Sequence, residues 1–426
     1  MSTTRRLLAV PALVVGALVA QTGLATPAQA ATVRYAAPDG TSAASCASLA
    51  TACSIQKAIN QAAAGDEVVV TPGTYNVGTT VLATSQSGVN VHGVAGFPRP
   101  TINTAADTGL ALSGASARVS DLTMNHSGAV WGLNVFATNI SVQRVEVHST
   151  APVACFLGLS GLARDTLCVT TADGGVALDD SWGGNGTFTS GTLVLRNITA
   201  VATGAASYGI RADASGSDTN LDVSARNVIA IGSAADLRST EVGTNSESDL
   251  ILTNSNYDKI EEGGGGNVTN VGSSSSNQTT PPVFADAVGF HQGLGSPTID
   301  KGGSDASVGT FDLDGNPRKI GSAVDIGADE FDPTPPDVVL DRTPKKKTHK
   351  RKAIFTFHAT ESVWFFCVID RKAMKPCTSP LKVKSRKRGK HTLTVSAIDS
   401  VGNVDPTPAT YTWKIKKKSK KKKHHR

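Results

Sequence analysis

Between Ile55 and Tyr75 the chain moves from a helical pattern to a β pattern, and no helix-length amphipathic stretch comes after it before the C-terminal part. Ile55, Ala58, Ile59 and Ala62 recur at i, i+3, i+4 and i+7, which gives a short helix one apolar stripe. Gly65-Asp66 breaks it, Val68-Val69-Val70 forms a β-branched run, and Pro72-Gly73 makes a turn. A lone helix that feeds a strand reads as a lid on the end of a stack. That reading restricts the body of the chain to elements that pile up along one axis.

From Val68 to about Ile260 the chain is a series of short apolar or alternating runs, among them Val89-Asn90-Val91, Leu110-Ala111-Leu112, Leu193-Val194-Leu195 and Leu250-Ile251-Leu252. Gly, Ser, Asn and Asp separate them. A loose repeat recurs within the series, a polar residue followed by two apolar positions spaced by one. It reads Asp121-Leu122-Thr123-Met124, Arg144-Val145-Glu146-Val147, Asn197-Ile198-Thr199-Ala200 and Asn227-Val228-Ile229-Ala230. Spacings of this size predict a solenoid, with aliphatic side chains inside and Asn laddering at turns. A sandwich or propeller would want hairpin dipeptides at regular spacing, and none recurs. The Ile55–Tyr75 block resembles the opening of right-handed parallel β-helix proteins of the pectin-lyase-like kind. Gly295–Asp300, Asp312–Arg318 and Val324–Glu330 resemble the closing segment of many secreted bacterial β-helix proteins. The resemblance implies an all-β right-handed parallel β-helix over residues 31–332, with an N-terminal capping helix, end caps and a long loop at Gly263–Ser276.

Upstream, Arg5-Arg6, an apolar stretch to about Val19 and Ala28-Gln29-Ala30 read as an export signal over residues 1–30, of general secretory type in preference to the twin-arginine type that Thr4–Leu8 loosely resembles. The apolar stretch is interrupted by Pro11 and Gly16, so no transmembrane anchor is expected and the mature protein is read as secreted. Six cysteines fall as local pairs, Cys46–Cys53, Cys155–Cys168 and Cys367–Cys377, and oxidising surroundings favour three disulfides over a metal site. The charge is divided: residues 32–332 carry 14 Lys+Arg against 29 Asp+Glu, and residues 333–426 carry 25 against 6. An acidic body and a basic C-terminal part imply two domains.

Residues 333–336 form a Pro-rich linker. Alternating runs from Val338 to Trp413 then predict a small antiparallel sandwich over residues 337–415. Phe366–Asp370, Pro376–Pro380, Val395–Asp399 and Gly402–Pro406 resemble a bacterial immunoglobulin-like domain, a module that the resemblance casts as spacer or adhesive element. Lysine runs, ending in a tail over residues 416–426, suit electrostatic attachment to anionic envelope polymers; a solvated, solubilising tail fits equally well. Nucleic acid is not an expected partner of an exported chain.

Pectin-lyase-like folds often act on acidic polysaccharides, by calcium-binding carboxylates with a basic residue or by paired carboxylates. The best local candidates are Asp179 and Asp180 as an acid pair, with Trp182 and Arg211 as sugar contacts. Neighbouring strand residues face opposite ways, so one Asp would point into the core; the pair is therefore expected at a turn. The Gly-His-Gly and Arg-x-Lys signals of polygalacturonases are not present. His126 and His148 read as two surface histidines, and Arg211 with Asp213 as a possible ion pair. Asp312, Asp314 and Asn316 have a calcium-ligand spacing, but Gly315 is misplaced for an EF-hand, so they are expected to tie turns and no metal or cofactor is assigned. The leading expectation is a non-enzymatic envelope or extracellular protein that binds polysaccharide. A polysaccharide lyase or glycosidase with its site on the outer face is the alternative.

Overall fold

The computed structural model describes residues 31–185, 191–217, 220–244, 246–270, 276–361, 363–370, 372–384, 387–399 and 403–417. The export signal, the end of the lysine tail and residues 271–275 of the expected loop lie outside them. Among the described residues, nineteen strands between Val33 and Asn270 join in one parallel network, a right-handed β-helix. Three faces can be read from the register. The first runs from Val33 through Glu67, Asn90, Arg118 and Ser141 towards Gly161, Leu193, Val223 and Leu250. The second stacks Tyr75, Ile102, Met124 and Val147 over Cys168, Ala200 and Ala230. The third stacks Leu82, Leu110, Leu133, Cys155, Leu178, Ile210 and Leu237. The second and third columns, and on the first face the column Val68, Val91, Val119, Val142, Ala163, Leu195, Ala225 and Leu252, are almost wholly enclosed and form one continuous core.

The polar residue that starts each sequence repeat is the corner of the coil. Asp121, Arg144, Asn197 and Asn227 all have φ between 49° and 57°, as do the less regular copies Asp165 and, at 47°, Asn254. The short side chains of Asp and Asn tolerate this left-handed geometry and can bond locally, which a β-branched residue cannot do, while Arg144 is held there by its paired bonds to Asp121. The corners bond to one another. Arg144 donates to both oxygens of Asp121 (2.7 and 2.9 Å), Asn197 to Asp165 (2.8 Å), and Asn227 to Asn197 (2.9 Å). Corner and strand are continuous, so chain segments such as Trp131–Ser149 and Val153–Thr170 pass through all three faces as single long strands.

The predicted helix covers Ile55–Asn60, capped by the Ser54 hydroxyl, and its stripe of Ile55, Ala58 and Ile59 closes the end of the core. A strand that the sequence reading missed, Val33–Thr41, precedes it and pairs with Glu67–Val70. Asp66 fastens this strand to the helix break by accepting from Arg34, Thr32 and Ala63. Burial works against its charge, but those donors hold its pKa below the usual carboxylate value.

The Gly263–Ser276 stretch is not one loop, because Ile260–Gly263 and Asn267–Asn270 are strands that add rungs to the third and first faces. The closing segment, in turn, does more than cap an end: it runs back along the row of corners. Lys301 meets Asn254, Gly303 meets Asn227, Val308 meets Asn197, and Leu313 and Asp314 reach Arg99. It thereby satisfies corner amides that stacking alone leaves half-bonded.

Three disulfides form as the spacing predicts. Cys155–Cys168 joins the third and second faces through the interior. Beyond the linker, two sheets enclose a separate core built on Phe355, Phe357, Leu393, Val395 and Trp413. One holds Val338–Arg342, Ala353–Ala359 and Leu381–Val383; the other is built around Val363–Ile369, Gly389–Asp399 and Ala409–Ile415.

Asn227→Ala removes a side chain that donates to Asn197 and Gly303 and accepts from Gly303, and places a Cβ without polar compensation at φ 56°. The expected cost is about 2–4 kcal/mol in urea unfolding, of which Asn227→Gly restores about 1 kcal/mol by relieving the backbone. Equal stability of Asn227→Ala and the parent would rule out the corner ladder as a stabilising element.

Candidate functional site

On the outer side of the third face, four aromatic rings stack across neighbouring rungs. Trp131 lies on Phe156 (centroids 5.3 Å apart), Phe156 on Phe136 (5.2 Å), and Phe136 on Trp182 (5.0 Å), with interplanar angles of 25°, 20° and 17°. The arrangement depends on one small residue. Phe136 is paired with Gly158, and a Cβ there would stand 2.3 Å from the Phe136 ring. Any larger residue would push that ring off its neighbours. The rings, with Leu112, Ser113, Asn134 and Ser181, line an open groove of about 390 Å3. It is an apolar trough with a few hydroxyl and amide groups at its edge, which is the usual make-up of a small-molecule or sugar site.

The acid pair lies beside this groove, but not at a turn. Asp179 ends the strand Val176–Asp179, and Asp180 continues the ladder, its N–H donating to the Arg211 carbonyl at 2.9 Å. Both are buried. Asp179 is occupied on both oxygens: it accepts from Ser181 Oγ at 2.5 Å and from Arg211 at 2.6 and 3.1 Å. Asp180 points the other way and accepts from the backbone N–H of Leu159, a residue at φ 73° beside the bulge at Gly161. The cost that argued against an inward Asp is met by a proton. Burial first, and Asp179 second, push the Asp180 carboxyl up to about 8.

Arg211 heads a ladder of alternating charge on the same face: Asp213 lies between Arg211 (3.8 Å) and Arg238 (3.2 Å), and Glu261 comes next at 3.3 Å. Arg238 also sits over the Tyr208 ring, 5.1 Å from its centroid. Burial disfavours the Arg211 charge, but Asp179 more than offsets it and its pKa is raised, so the guanidinium stays protonated.

A second groove, of about 640 Å3, runs along the second face. It is lined by Asn76, Asn103, Asn125 and His148, with Ala287 and Val288 on the opposite side. Asn125 donates to Asn103 and Asn103 to Asn76, both at 2.9 Å. Asn125 is opposite His148, as the sequence register implies. His126 is not a surface residue: it is 2% exposed and bonded to Ser149 and the Ala106 carbonyl, and burial lowers its pKa.

The Asp-x-Asp-x-Asn spacing separates into different roles. Asp312 ties the turn, accepting from the Asn316 N–H at 2.7 Å and the Glu330 N–H at 3.3 Å. Asp314 faces Arg99 and His291. Arg318 is buried and donates to the carbonyls of Asp325, Gly327 and Ala328. Burial raises the carboxyls around it, Asp165 to about 6, Asp312 to about 7 and Glu330 to about 8, although Arg318 opposes each shift. His291 binds Asp286 through Nδ1 (2.5 Å) and Asp314 through Nε2 (2.9 Å). Burial disfavours its charge, but Asp314 and Asp329 outweigh this and raise its pKa to about 10.

Of the residues that the sequence singles out, Trp182 lines the groove while Asp179 and Arg211 lie beside it; Trp131, Phe136, Phe156, His291 and Asp329 are not singled out by the sequence. Trp131, Phe156 and Trp182 do recur at about one coil length, in a chain with only 5% aromatics, and that recurrence was the available signal. Phe136, His291 and Asp329 carry none, since only folding brings them to their partners.

No protein-family model matches the chain, and no curated protein does. Among solved structures it is similar to the crystal structure of pectate lyase Pel9A, at 14% identity and a TM-score of 0.38, over 71% of this chain and 96% of that one.

In the folded protein Asp180 stays protonated to about pH 8, whereas in the unfolded chain it ionises near 3.8. Its contribution to stability is therefore complete below about pH 4 and is lost as pH rises through 8. Asp180→Asn keeps an acceptor for Leu159 and removes this loss. The melting temperature of the variant relative to the parent is expected to climb from about pH 4 to about pH 8 and then to level off; a flat difference would contradict the assignment.

Proposed function

We propose that this is an exported, non-enzymatic polysaccharide-binding protein whose β-helix holds ligand in the aromatic groove of its third face. The observation that carries the reading is the groove itself, with four rings meeting one open trough. Its apolar rings suit the C–H faces of sugars, and Ser113, Asn134 and Ser181 suit their hydroxyls. Binding is favoured over cleavage because neither carboxyl next to the groove is available to a substrate. Asp179 is saturated by Arg211 and Ser181, and Asp180 is enclosed on the interior side. Three disulfides suit the oxidising surroundings that export implies.

The C-terminal sandwich, which we take to be immunoglobulin-like, supplies attachment to anionic envelope polymers. Lys347 lies opposite Lys414, and Lys414 opposite Lys390, so three lysines stand side by side across three strands. Like charges directly opposite oppose sheet formation, and an anionic partner would relieve them.

The test is the mature chain from Ala31 against neutral and acidic polysaccharides, scored for retention and for cleavage products. Retention without cleavage is expected. Trp182→Ala combined with Phe156→Ala weakens it about tenfold, the equivalent of roughly one lost aromatic contact. Release of unsaturated or newly reducing ends would establish the lyase or hydrolase alternative. Retention on anionic cell-wall polymer is expected to fall with salt, and to fall further in a Lys347, Lys390 and Lys414 to Gln triple variant.

A further inference from the structure

We propose that His291, Asp314 and Asp329 form a binding site for a divalent zinc-class cation, held by the closing segment against the side of the β-helix. One nitrogen and two carboxylate donors of these residues lie within 4.8 Å of one another, close enough to share one ion. Three turns of the closing segment bring them together. His291 adjoins the bridge between Phe284 and Gln292, Asp314 sits in the Asp312–Asn316 turn, and Asp329 comes after Gly327-Ala328, which is bonded to Asn227 and Thr199 on the coil.

An independent observation points to an absent partner. Asp329 is 2% exposed, and its Oδ1 is buried with no hydrogen-bond donor among the described residues. Its Oδ2 accepts the Gln292 N–H at 2.6 Å, which fixes the carboxylate in place. Burial pushes the Asp329 carboxyl well above its usual range although His291 opposes the shift, and a cation that displaces its proton would take the place of the missing donor.

The surroundings fit a metal site beyond the three donors. Asp286 accepts from His291 Nδ1 at 2.5 Å and orients the ring, the carboxylate–histidine arrangement of imidazole ligands, and the Nε2 proton that Asp314 accepts at 2.9 Å is displaced when the ion binds. Arg99 holds the other Asp314 oxygen at 2.9 Å and joins it to Glu146 at 3.0 Å, so Asp314 is oriented as well. An imidazole with two carboxylates suits zinc-class ions, whereas calcium and magnesium prefer all-oxygen shells. His291 and Asp314 each keep a small part of their side chains exposed, 13% and 12%, which leaves a route for the ion and a position for water.

The experiment uses tag-free mature protein, freed of metal by chelator, and titrates it calorimetrically with zinc chloride while its melting temperature is followed. Binding of one zinc ion per chain with a rise in melting temperature is expected. Asp329→Asn, nearly identical in shape, is expected to lose that ion while keeping the circular dichroism of the parent. Asp286→Asn, which touches no ion, is expected to weaken binding about 10- to 100-fold. Cobalt(II) in place of zinc gives a visible absorption band that Asp329→Asn lacks, and this separates the site from the histidines at the C-terminus. Zinc bound equally by Asp329→Asn, no zinc bound by the folded parent, or calcium bound in its place would each overturn the proposal.

Discussion

The structure depends on the left-handed polar corner, repeated rung after rung. A parallel coil must turn between faces at the same place in every rung, or the aliphatic columns fall out of register and a core side chain is exchanged for a surface one. Asp121, Arg144, Asp165, Asn197, Asn227 and Asn254 make that turn with nearly the same φ, and most of them bond to the corner of an adjoining rung. The corner sets both the bend and the register. The inward columns of Val, Ile, Leu and Ala can then be small and simple.

That row of corners has a second consequence, because it offers a line of buried amides and charges that need partners. The closing segment supplies them, and in doing so brings its own polar groups against the coil. Arg318 with Asp165, Asp312 and Glu330 is the densest part of this seam. Its carboxyls have raised pKa values because burial outweighs the one guanidinium they share. The His291, Asp314 and Asp329 cluster belongs to the same seam. The aromatic groove lies on the third face, where side chains are free to take positions that the corners do not dictate.

Much of the architecture is legible along the chain. The amphipathic stripe of Ile55, Ala58 and Ile59 forms the lid, the polar-apolar repeat marks the corners, and local cysteine spacing names all three disulfides. The candidate site is only partly visible there. Trp182 and Arg211 can be found, but the placing of Asp179 and Asp180 at a turn is wrong, since alternation alone makes an inward Asp look too costly. Alternation does not show that Leu159, a rung away, offers an N–H, or that a buried carboxyl can keep its proton. His126 reads as a surface residue for a similar reason: its partners Ser149 and Ala106 are distant in sequence.

Local choices are written along the chain: helix or strand, where a left-handed residue must stand, which cysteines are near enough to pair, and where charge changes sign. These arise from side-chain shape and from spacings of a few residues, which no tertiary contact has to supply. Long-range packing alone makes the closing segment return along the corners, carries Phe136 to Trp182 over Gly158, and brings His291 to Asp314 and Asp329. Each of those outcomes depends on which rungs become neighbours and on how long the loops between them are. In a coil of irregular period, that is set by the packing of the whole stack.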